Sequence, residues 1–276
     1  MKLSVTKAKS ILVKSNLPAS DYVANPYSGC THNCRYCYAS FMKRFTGHEE
    51  EWGTFLDVKE YDSDKLPRSL DGRTVLLSSV TDPYNPYEMK FHKSREILEL
   101  LSCTNAHVEI LSKSDLILKD MDLLKRIPDI SVGISLNTLN DDFRKDMEPG
   151  APSIQKRLYA LETLHKEGIP TYLFMSPIFP YITNVHEIIE AVSGKVDQIC
   201  FENLNLRGAA KKEILDYIAE KYPQYLTEYK KIYIGGDLSY WRNLEAEIEE
   251  LSKNSAVPLI NYFYHSNIKK GGNKHD

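Results

Sequence analysis

The sequence contains no apolar run of membrane-spanning length, and its first residues, Met1 to Lys7, form no apolar leader. This absence argues against secretion and against membrane insertion. We therefore expect a cytoplasmic protein.

Cysteine is also scarce, which excludes two classes of protein. Five cysteines, an odd number, do not form the framework of a disulfide-stabilised domain. Outside one group of three, only Cys103 and Cys200 remain, too few for a further metal centre with four thiolate ligands. We interpret both as small buried apolar residues.

A strong charge of either sign is likewise missing. The formal net charge is −3, so the whole chain exerts no general attraction on a polyanion. Basic pairs such as Lys211-Lys212 and Lys230-Lys231 are offset by acidic runs such as Glu49 to Glu51. Solvated helix faces account for most of these charges without nucleic acid.

The 276 residues, 42% hydrophobic, suffice for one large globular domain. Apolar, β-branched segments alternate with segments of helical periodicity, which predicts strand-then-helix units and a parallel sheet. The predicted strands are Tyr22–Ala24, Thr74–Ser79, Val108–Leu111, Ile130–Leu136, Thr171–Met175 and Val196–Phe201. With a last helix over Ala209–Glu220 they form six units, which right-handed crossovers would curl into a partial α/β barrel.

The remainder of the chain is rich in tyrosine. Its aromatic residues include Tyr222, Tyr225, Tyr229, Tyr233, Tyr240, Trp241 and the run Tyr262 to Tyr264. We interpret residues 1–208 as the barrel core and residues 209–276 as a C-terminal extension that caps it within the same domain. Its rings could stack a substrate base, although packing is their ordinary role. We expect residues from Lys269 on to form a mobile tail.

Polar residues recur where each predicted strand ends, and ligands bind at that edge of such barrels. The most informative segment follows the first strand, where Cys30, Cys34 and Cys37 have C-x3-C-x2-C spacing. Three cysteines so close in sequence can all bind one inorganic centre. Because they supply only three thiolates, one coordination position of that centre stays open. Residues Arg35 to Phe45 read as a helix whose first turn would direct backbone N–H groups at that centre.

Zinc is the alternative that the spacing leaves open. His32, inside the loop, could complete a site of three cysteines and one histidine. A protein with that zinc site would be a non-enzymatic binding module. A second non-enzymatic alternative is an electron carrier that holds an iron–sulfur centre.

The loop resembles the signature of the radical SAM superfamily, C-x3-C-x-aromatic-C, with Tyr36 at the aromatic position. Further motifs, in order, resemble the spore photoproduct lyase-like group and cover roughly residues 8 to 200. They are Asn25 to Cys30, Cys37 to Ala39, Thr81 to Tyr84 and Ser112 to Asp120. Within that group the chain looks most like proteins encoded as a pair of radical SAM genes on mobile elements.

The resemblance implies a partial (β/α)6 barrel of the radical SAM type. It implies that Cys30, Cys34 and Cys37 hold a [4Fe-4S] cluster whose open iron binds S-adenosylmethionine (SAM). Reductive cleavage of SAM then gives a 5′-deoxyadenosyl radical, and this radical abstracts hydrogen from a substrate. It also implies an external one-electron reductant and a second radical SAM protein as partner. Among substrates a nucleic acid or nucleotide is favoured, with a peptide or small metabolite as the alternative.

Individual positions carry over in the same way. Thr81, Lys113 and Ser135 match the positions that bind SAM in the lyase, and a lysine there can neutralise the methionine carboxylate. Tyr36 should lie near the adenine, and Asp82 should hold the SAM amino group or shape the loop.

Glu148 and Arg157 are expected to form a structural ion pair. Where the lyase has its hydrogen-donating cysteine, this chain has Ser79, a poorer donor, so photoproduct repair by that route is not expected. Tyr84 is the candidate catalytic residue in its place, with Tyr38 and Tyr87 as alternatives.

Overall fold

Parallel strands, most of them followed by helical structure, form the centre of this computed structural model, which describes residues 1–61 and 66–263. The strands are β1 (Lys2–Ala8), β2 (Leu12–Lys14), β3 (Tyr22–Ala24), β4 (Tyr27–Ser28), β5 (Phe55–Tyr61), β6 (Thr74–Leu77), β7 (His107–Ser112), β8 (Ile130–Ser135), β9 (Thr171–Ile178), β10 (Gln198–Asn203) and β11 (Leu259–Asn261). The α-helices are α1 (Lys43–Thr46), α2 (Glu88–Phe91), α3 (Lys93–Leu101), α4 (Met121–Leu124), α5 (Asp141–Met147), α6 (Ile154–Lys166), α7 (Val185–Ala191), α8 (Gly208–Lys221), α9 (Leu226–Tyr233) and α10 (Ser239–Ser252). Short 3-10 helices cover Tyr38–Met42, Asp115–Asp120 and Pro223–Tyr225.

The main sheet has eight strands in the order β11-β10-β9-β8-β7-β6-β3-β2. All neighbours from β3 to β11 are parallel, and β2 is antiparallel to β3. The six predicted strands are therefore present in chain order, and the predicted α/β partial barrel is confirmed. The sequence analysis did not predict β11, which adds a seventh parallel strand beside β10.

The core lies where the strands meet the helices that follow them. In β7, for example, Val108 and Ile110 are fully buried while the alternate residues are only half-buried, as the two-residue period of a strand requires. On α3 the buried apolar residues are Ile97, Leu98 and Leu101, which lie on one face of the helix.

A second, three-stranded sheet of order β1-β5-β4 was not predicted. Strand β1 pairs in parallel with β5, from Lys2 opposite Phe55 to Ala8 opposite Tyr61. Strand β4 pairs with β5 in the antiparallel sense and leads directly into the cysteine loop. This small sheet therefore fixes one end of that loop.

The helix predicted over Arg35 to Phe45 is wrong in its first part. Regular structure begins only with the 3-10 helix at Tyr38, and α1 starts at Lys43. The N–H of Cys37 donates to the carbonyl of Cys34 at 3.1 Å, so the last cysteine closes a turn and precedes the helix. Backbone N–H groups of a first helical turn consequently do not surround all three cysteines.

The tyrosine-rich C-terminal part contains α8 to α10, and its rings pack on one another. Tyr222 stacks on Tyr225 with ring centroids 6.3 Å apart, and Tyr229 and Trp241 are buried. The expected tail from Lys269 lies outside the described residues. No helix in the described part of the chain is long and apolar enough to cross a membrane.

Candidate active site

The cysteine loop leaves β4 through a glycine that no other residue can replace without movement. Gly29 has φ of +87°, and a Cβ on it would lie 2.5 Å from the carbonyl oxygen of Phe55. Left-handed φ and close backbone approach both favour glycine. The position of Cys30 is therefore set by contact between the loop and β5.

Two other glycines allow neighbouring segments to touch the same loop. A Cβ on Gly150 would lie 2.1 Å from the carbonyl oxygen of Thr31, and the N–H of Gly150 donates to the carbonyl of His32 at 3.0 Å. A Cβ on Gly53 would lie 2.2 Å from the Asn33 side chain. Gly150 thus contacts the backbone of the loop and Gly53 contacts its Asn33 side chain, and neither glycine has room for a side chain of its own.

The three thiols are free and suit a metal centre that supplies its own positive charge. Burial raises the pKa of the Cys30 thiol to about 12, with contributions from Cys37 and Asp82. Burial likewise raises the pKa of Cys34 well above its ordinary value and also raises that of Cys37. Bound iron lowers thiol pKa values by direct coordination, so cluster assembly here must release protons.

In the described part of the chain, the three cysteines do not converge as ligands of a single zinc ion. Among residues 1–61 and 66–263, no three His, Cys, Asp or Glu side chains converge as ligands of one metal ion. A cubane holds its irons at separate corners, so its thiolates need not converge on one point. Of the remaining cysteines, Cys200 is buried in β10 as expected, but the prediction of a buried Cys103 is wrong, because this residue lies exposed in the turn after α3. The loop therefore offers three thiolates and no fourth.

Asp82 organises the loop that follows β6. Its carboxylate accepts hydrogen bonds from the Ser112 hydroxyl at 2.7 Å and from the backbone N–H groups of Lys113 and Tyr84 at 2.8 and 2.9 Å. The Nδ1 of His32 lies 3.4 Å from the same carboxylate. Asp82 thus joins the cysteine loop to the carboxyl ends of β6 and β7, and this geometry favours the loop-shaping alternative.

His32 is buried beside that carboxylate. Burial lowers the pKa of His32, although Asp82 opposes the shift, so the imidazole is neutral at neutral pH. Its Nε2 has no hydrogen-bond partner in the described structure.

Lys113 and Ser135, predicted to bind SAM, lie next to each other at the carboxyl ends of β7 and β8. The Lys113 Nζ donates to the Ser135 Oγ at 3.2 Å and lies 3.9 Å from Glu148 Oε1. The Ser135 Oγ in turn donates to the carbonyl of Ser176 on β9 at 3.2 Å. The parallel strands therefore bring these side chains to one edge of the sheet.

The expected ion pair between Glu148 and Arg157 is present, and both side chains are fully buried. It also has a further partner, because the Tyr36 hydroxyl donates to Glu148. Arg157 additionally donates to the backbone carbonyls of Pro152 and Ser135. Glu148 consequently connects the aromatic residue of the cysteine loop to Lys113.

The charges in this network determine its protonation. Burial alone would raise the pKa of Glu148, but Arg157 and Lys113 hold it below its ordinary value. Burial alone would lower the pKa of Lys113, but Glu148 and Cys34 raise it. At neutral pH the network therefore holds one carboxylate, one guanidinium and an ammonium group that can bind an anion.

The remaining predicted cofactor residues contact the same loop. The Thr81 hydroxyl donates to the carbonyl of Gly29 at 2.6 Å. The Tyr36 ring packs edge-on against Phe179 with centroids 5.6 Å apart. Both positions border the cysteines.

Tyr84, the candidate catalytic residue, is placed differently. It is 1% exposed, and its hydroxyl donates to Asp120 at 3.0 Å, which is also bound by Arg95. Tyr38 follows the last cysteine directly, is 64% exposed, and donates its hydroxyl to the carbonyl of Ser79. Of the tyrosines considered, Tyr38 is the one that borders both the cysteines and the Ser79 position.

Buried polar atoms without partners concentrate around this site. Within the described residues they are Thr31 Oγ1, His32 Nε2, Trp52 Nε1, Ser78 Oγ and both amide atoms of Asn137. An unsatisfied buried polar group costs about 1 to 3 kcal/mol. Three of these residues lie in or against the cysteine loop, and Ser78 and Asn137 follow β6 and β8. The residues therefore fit a site completed by a bound polar group.

Sequence reasoning missed several of these residues. Trp52 lies beside Cys37, and its indole N–H has no hydrogen-bond partner in the described structure. Ser176 donates its hydroxyl to Glu202 across β9 and β10. Ser176 and Glu202 each come directly after a predicted strand, and this position could have indicated that they belong to the site. No local sequence pattern indicates Trp52.

Comparison with known proteins gives the family. A sequence profile described as the radical SAM superfamily matches residues 24–192. An uncharacterised protein of Methanocaldococcus jannaschii is 38% identical over 218 residues, which cover 79% of this chain and 83% of that protein. A radical SAM Nalpha-GlyT isomerase of Pseudomonas phage M6 is 30% identical over 172 residues, 60% of this chain and 35% of that protein.

The fold is similar to that of spore photoproduct lyase solved with a dinucleoside spore photoproduct. The TM-score is 0.58 at 16% identity, and the match covers 80% of this chain and 66% of the lyase. A variant of the same lyase has been solved with bound SAM. The chain thus belongs to the radical SAM superfamily and is an enzyme of that type, which uses a [4Fe-4S] cluster and S-adenosylmethionine.

Proposed function

We propose that this enzyme abstracts hydrogen from a nucleic acid or nucleotide. When bound, the cluster and SAM supply a 5′-deoxyadenosyl radical. Cys30, Cys34 and Cys37 would hold the cluster, and the absence of a fourth cysteine in the loop leaves one iron open for SAM. The chain's own residues have to bind SAM, orient it and exclude water.

The pairing of Lys113 with Ser135 supports the SAM-binding part of the proposal. Lys113 remains an ammonium group because Glu148 and Cys34 raise its pKa, so it can neutralise the methionine carboxylate of SAM. Ser135, 3.2 Å away, offers a hydroxyl to the same ligand. Tyr36, held by Glu148, would border the adenine, and Thr81 would support the loop at Gly29. Asp82 would position the Lys113 backbone.

The substrate class rests on two relatives. The lyase of similar fold binds a dinucleoside photoproduct, and the phage relative is named as an isomerase of Nalpha-GlyT. Ser79 stands where the lyase has its donor cysteine, so the reaction on this substrate should differ from photoproduct repair. Tyr84, the candidate hydrogen donor, is buried and bound to Asp120, whereas Tyr38 is exposed and reaches the Ser79 position, so we favour Tyr38 for that role.

The cellular setting is also a proposal. We propose a cytoplasmic enzyme that takes one electron from an external reductant and acts with a second radical SAM protein encoded nearby. We further propose that residues 209–276 cap the barrel formed by residues 1–208 within one domain, because α10 and β11 follow one another and β11 pairs with β10.

Deuterium transfer tests the substrate class directly. Reconstituted enzyme, reductant and SAM would be incubated with uniformly deuterated DNA, RNA, nucleotides, or a peptide digest, each from the same labelled cells. We expect deuterium in 5′-deoxyadenosine from one of the nucleic acid or nucleotide fractions. Transfer from the peptide fraction alone would instead establish the peptide alternative.

A further inference from the structure

The segment immediately after the last cysteine exposes aromatic rings to solvent. Tyr38, Phe41 and Phe45 are 64%, 44% and 67% exposed. Soluble proteins seldom expose several large rings together without a binding function. Because residues three apart in a 3-10 helix lie on one side, Tyr38 and Phe41 share a face.

Basic groups are interleaved with these rings. The Arg44 guanidinium lies over Phe41 and Phe45, 5.4 and 4.8 Å from their centroids. Phe41 and Phe45 meet edge-to-face at 6.3 Å, so the three side chains form one surface. We name Tyr38, Phe41, Arg44 and Phe45 the aromatic-basic patch.

The segment of residues 35–47 is positively charged, and the acidic run Glu49 to Glu51 follows it. Residues 35–47 contain Arg35, Lys43 and Arg44 and no acidic residue. Some of this charge has partners, since Arg35 lies 3.8 Å from Glu213 and Lys43 donates to the backbone carbonyl of Glu49. Within the described structure, no carboxylate lies within ion-pair distance of the Arg44 guanidinium, which contacts the rings of Phe41 and Phe45.

The patch is continuous with the active site. Tyr38 belongs to both, because its hydroxyl donates to the carbonyl of Ser79 after β6 while its side chain is part of the exposed surface. A long ligand whose reacting part lies at the carboxyl ends of the strands would therefore extend over Phe41 and Phe45.

We propose that the aromatic-basic patch binds a single-stranded nucleic acid by base stacking and phosphate contact. Exposed rings alternating with arginine are the chemistry that binds single strands with little sequence preference, because every base has a π-face and every linkage a negative charge. The inference rests on the proposed nucleic acid substrate and locates its binding surface.

The test is fluorescence anisotropy with short labelled single-stranded DNA and RNA of mixed sequence. The variant F41A/F45A should raise the Kd of the better-bound strand at least tenfold, since each stacked ring is worth about tenfold. The variant R44A should weaken binding and reduce the slope of log K against log salt by about 0.7, the loss of one phosphate contact on a single strand. The matched control is Y159A, which removes a ring that is 62% exposed on α6.

Iron content should match in all variants, because none of these side chains binds the cluster. Equal Kd values for wild type and F41A/F45A would show that the aromatic-basic patch does not bind the strand. The proposal of a nucleic acid substrate would be unaffected by that result. Unchanged strand binding together with slower cluster reduction by an acidic flavodoxin would assign the patch to the reductant. If the wild-type protein bound neither strand, both the proposed role of the patch and the proposal of a nucleic acid polymer as substrate would be wrong.

Discussion

Lys113 illustrates how a single buried charge prepares the site for an anion. Its ammonium group faces Glu148 at 3.9 Å and Ser135 at 3.2 Å, and its exposed fraction is small. A hydrogen bond to a charged group contributes about 1.5 to 3 kcal/mol. The variant K113M keeps the length of the side chain but removes the charge.

We expect K113M to weaken SAM binding by more than tenfold in isothermal titration calorimetry, with its cluster intact. The control is K119M, which removes an exposed lysine in the adjoining 3-10 helix. A K113M protein with wild-type SAM affinity would show that another residue binds the carboxylate.

Glu148 and Arg157 differ from Lys113 because their charges are paired with each other and fully buried, so the pair stabilises the fold. Removing one partner of a buried pair costs about 3 to 5 kcal/mol, since the other charge remains uncompensated. We expect E148Q to lose a free energy of unfolding in this range at pH 7, measured by urea denaturation. E162Q, which breaks the exposed pair with Lys166, should have no measurable effect.

The same pair predicts a pH dependence. The pKa of Glu148 is lower in the folded protein than its ordinary value, so its stabilising contribution is present above the ordinary glutamate pKa. It is lost as the pH falls through the lower, folded-state value. The difference in unfolding free energy between wild type and E148Q should therefore narrow on acidification below about pH 4. A constant difference would mean that Glu148 is not ionised in the fold.

At the scale of elements, the cysteine loop depends on segments distant in sequence. Gly150, which follows α5, leaves room for the carbonyl of Thr31. We expect G150A to displace the loop and to reduce the iron bound per chain by more than half after reconstitution. G72A is the control, because its Cβ meets nothing within 4 Å and adds only backbone strain. Full iron content in G150A would show that the loop tolerates the movement.

Elements with a local signal were predicted, and those that depend on distant contacts were not. The strands β6 to β10 are rich in apolar and β-branched residues, which are typical of buried parallel strands. Strand β1 has only two large apolar residues, Leu3 and Val5, and pairs with β5 more than forty residues later, so no neighbouring partner in the sequence indicates it. Residues 35 to 45 have helical propensity, but the cysteines impose turns on the first part.

The site divides in the same way. Without coordinates, the cysteine spacing predicted Cys30 as a metal ligand, and the resemblance to the lyase-like group predicted Lys113 and Ser135 as SAM contacts. The joining of Asp82 to His32, and of Tyr36 to Glu148, could not be predicted because each contact links segments set by the fold.

At the scale of the whole molecule, the C-terminal extension contributes to the barrel sheet. Strand β11 pairs with β10, and Tyr229 and Trp241 are buried in the same core cluster as the barrel strands. We expect the truncated chain 1–208 to lack a cooperative thermal transition, because β10 and the apolar core would be exposed. A cooperative calorimetric transition for 1–208 would contradict the assignment to one domain.

The account as a whole depends on a cluster held by three cysteines with one iron left for SAM. The most direct measurement is product analysis after anaerobic reconstitution, reduction with dithionite and addition of SAM. We predict 5′-deoxyadenosine and methionine in equal amounts from the wild-type protein and from C103S, and neither from C34A. A wild-type protein with a full, reduced [4Fe-4S] cluster that leaves SAM intact would contradict the account.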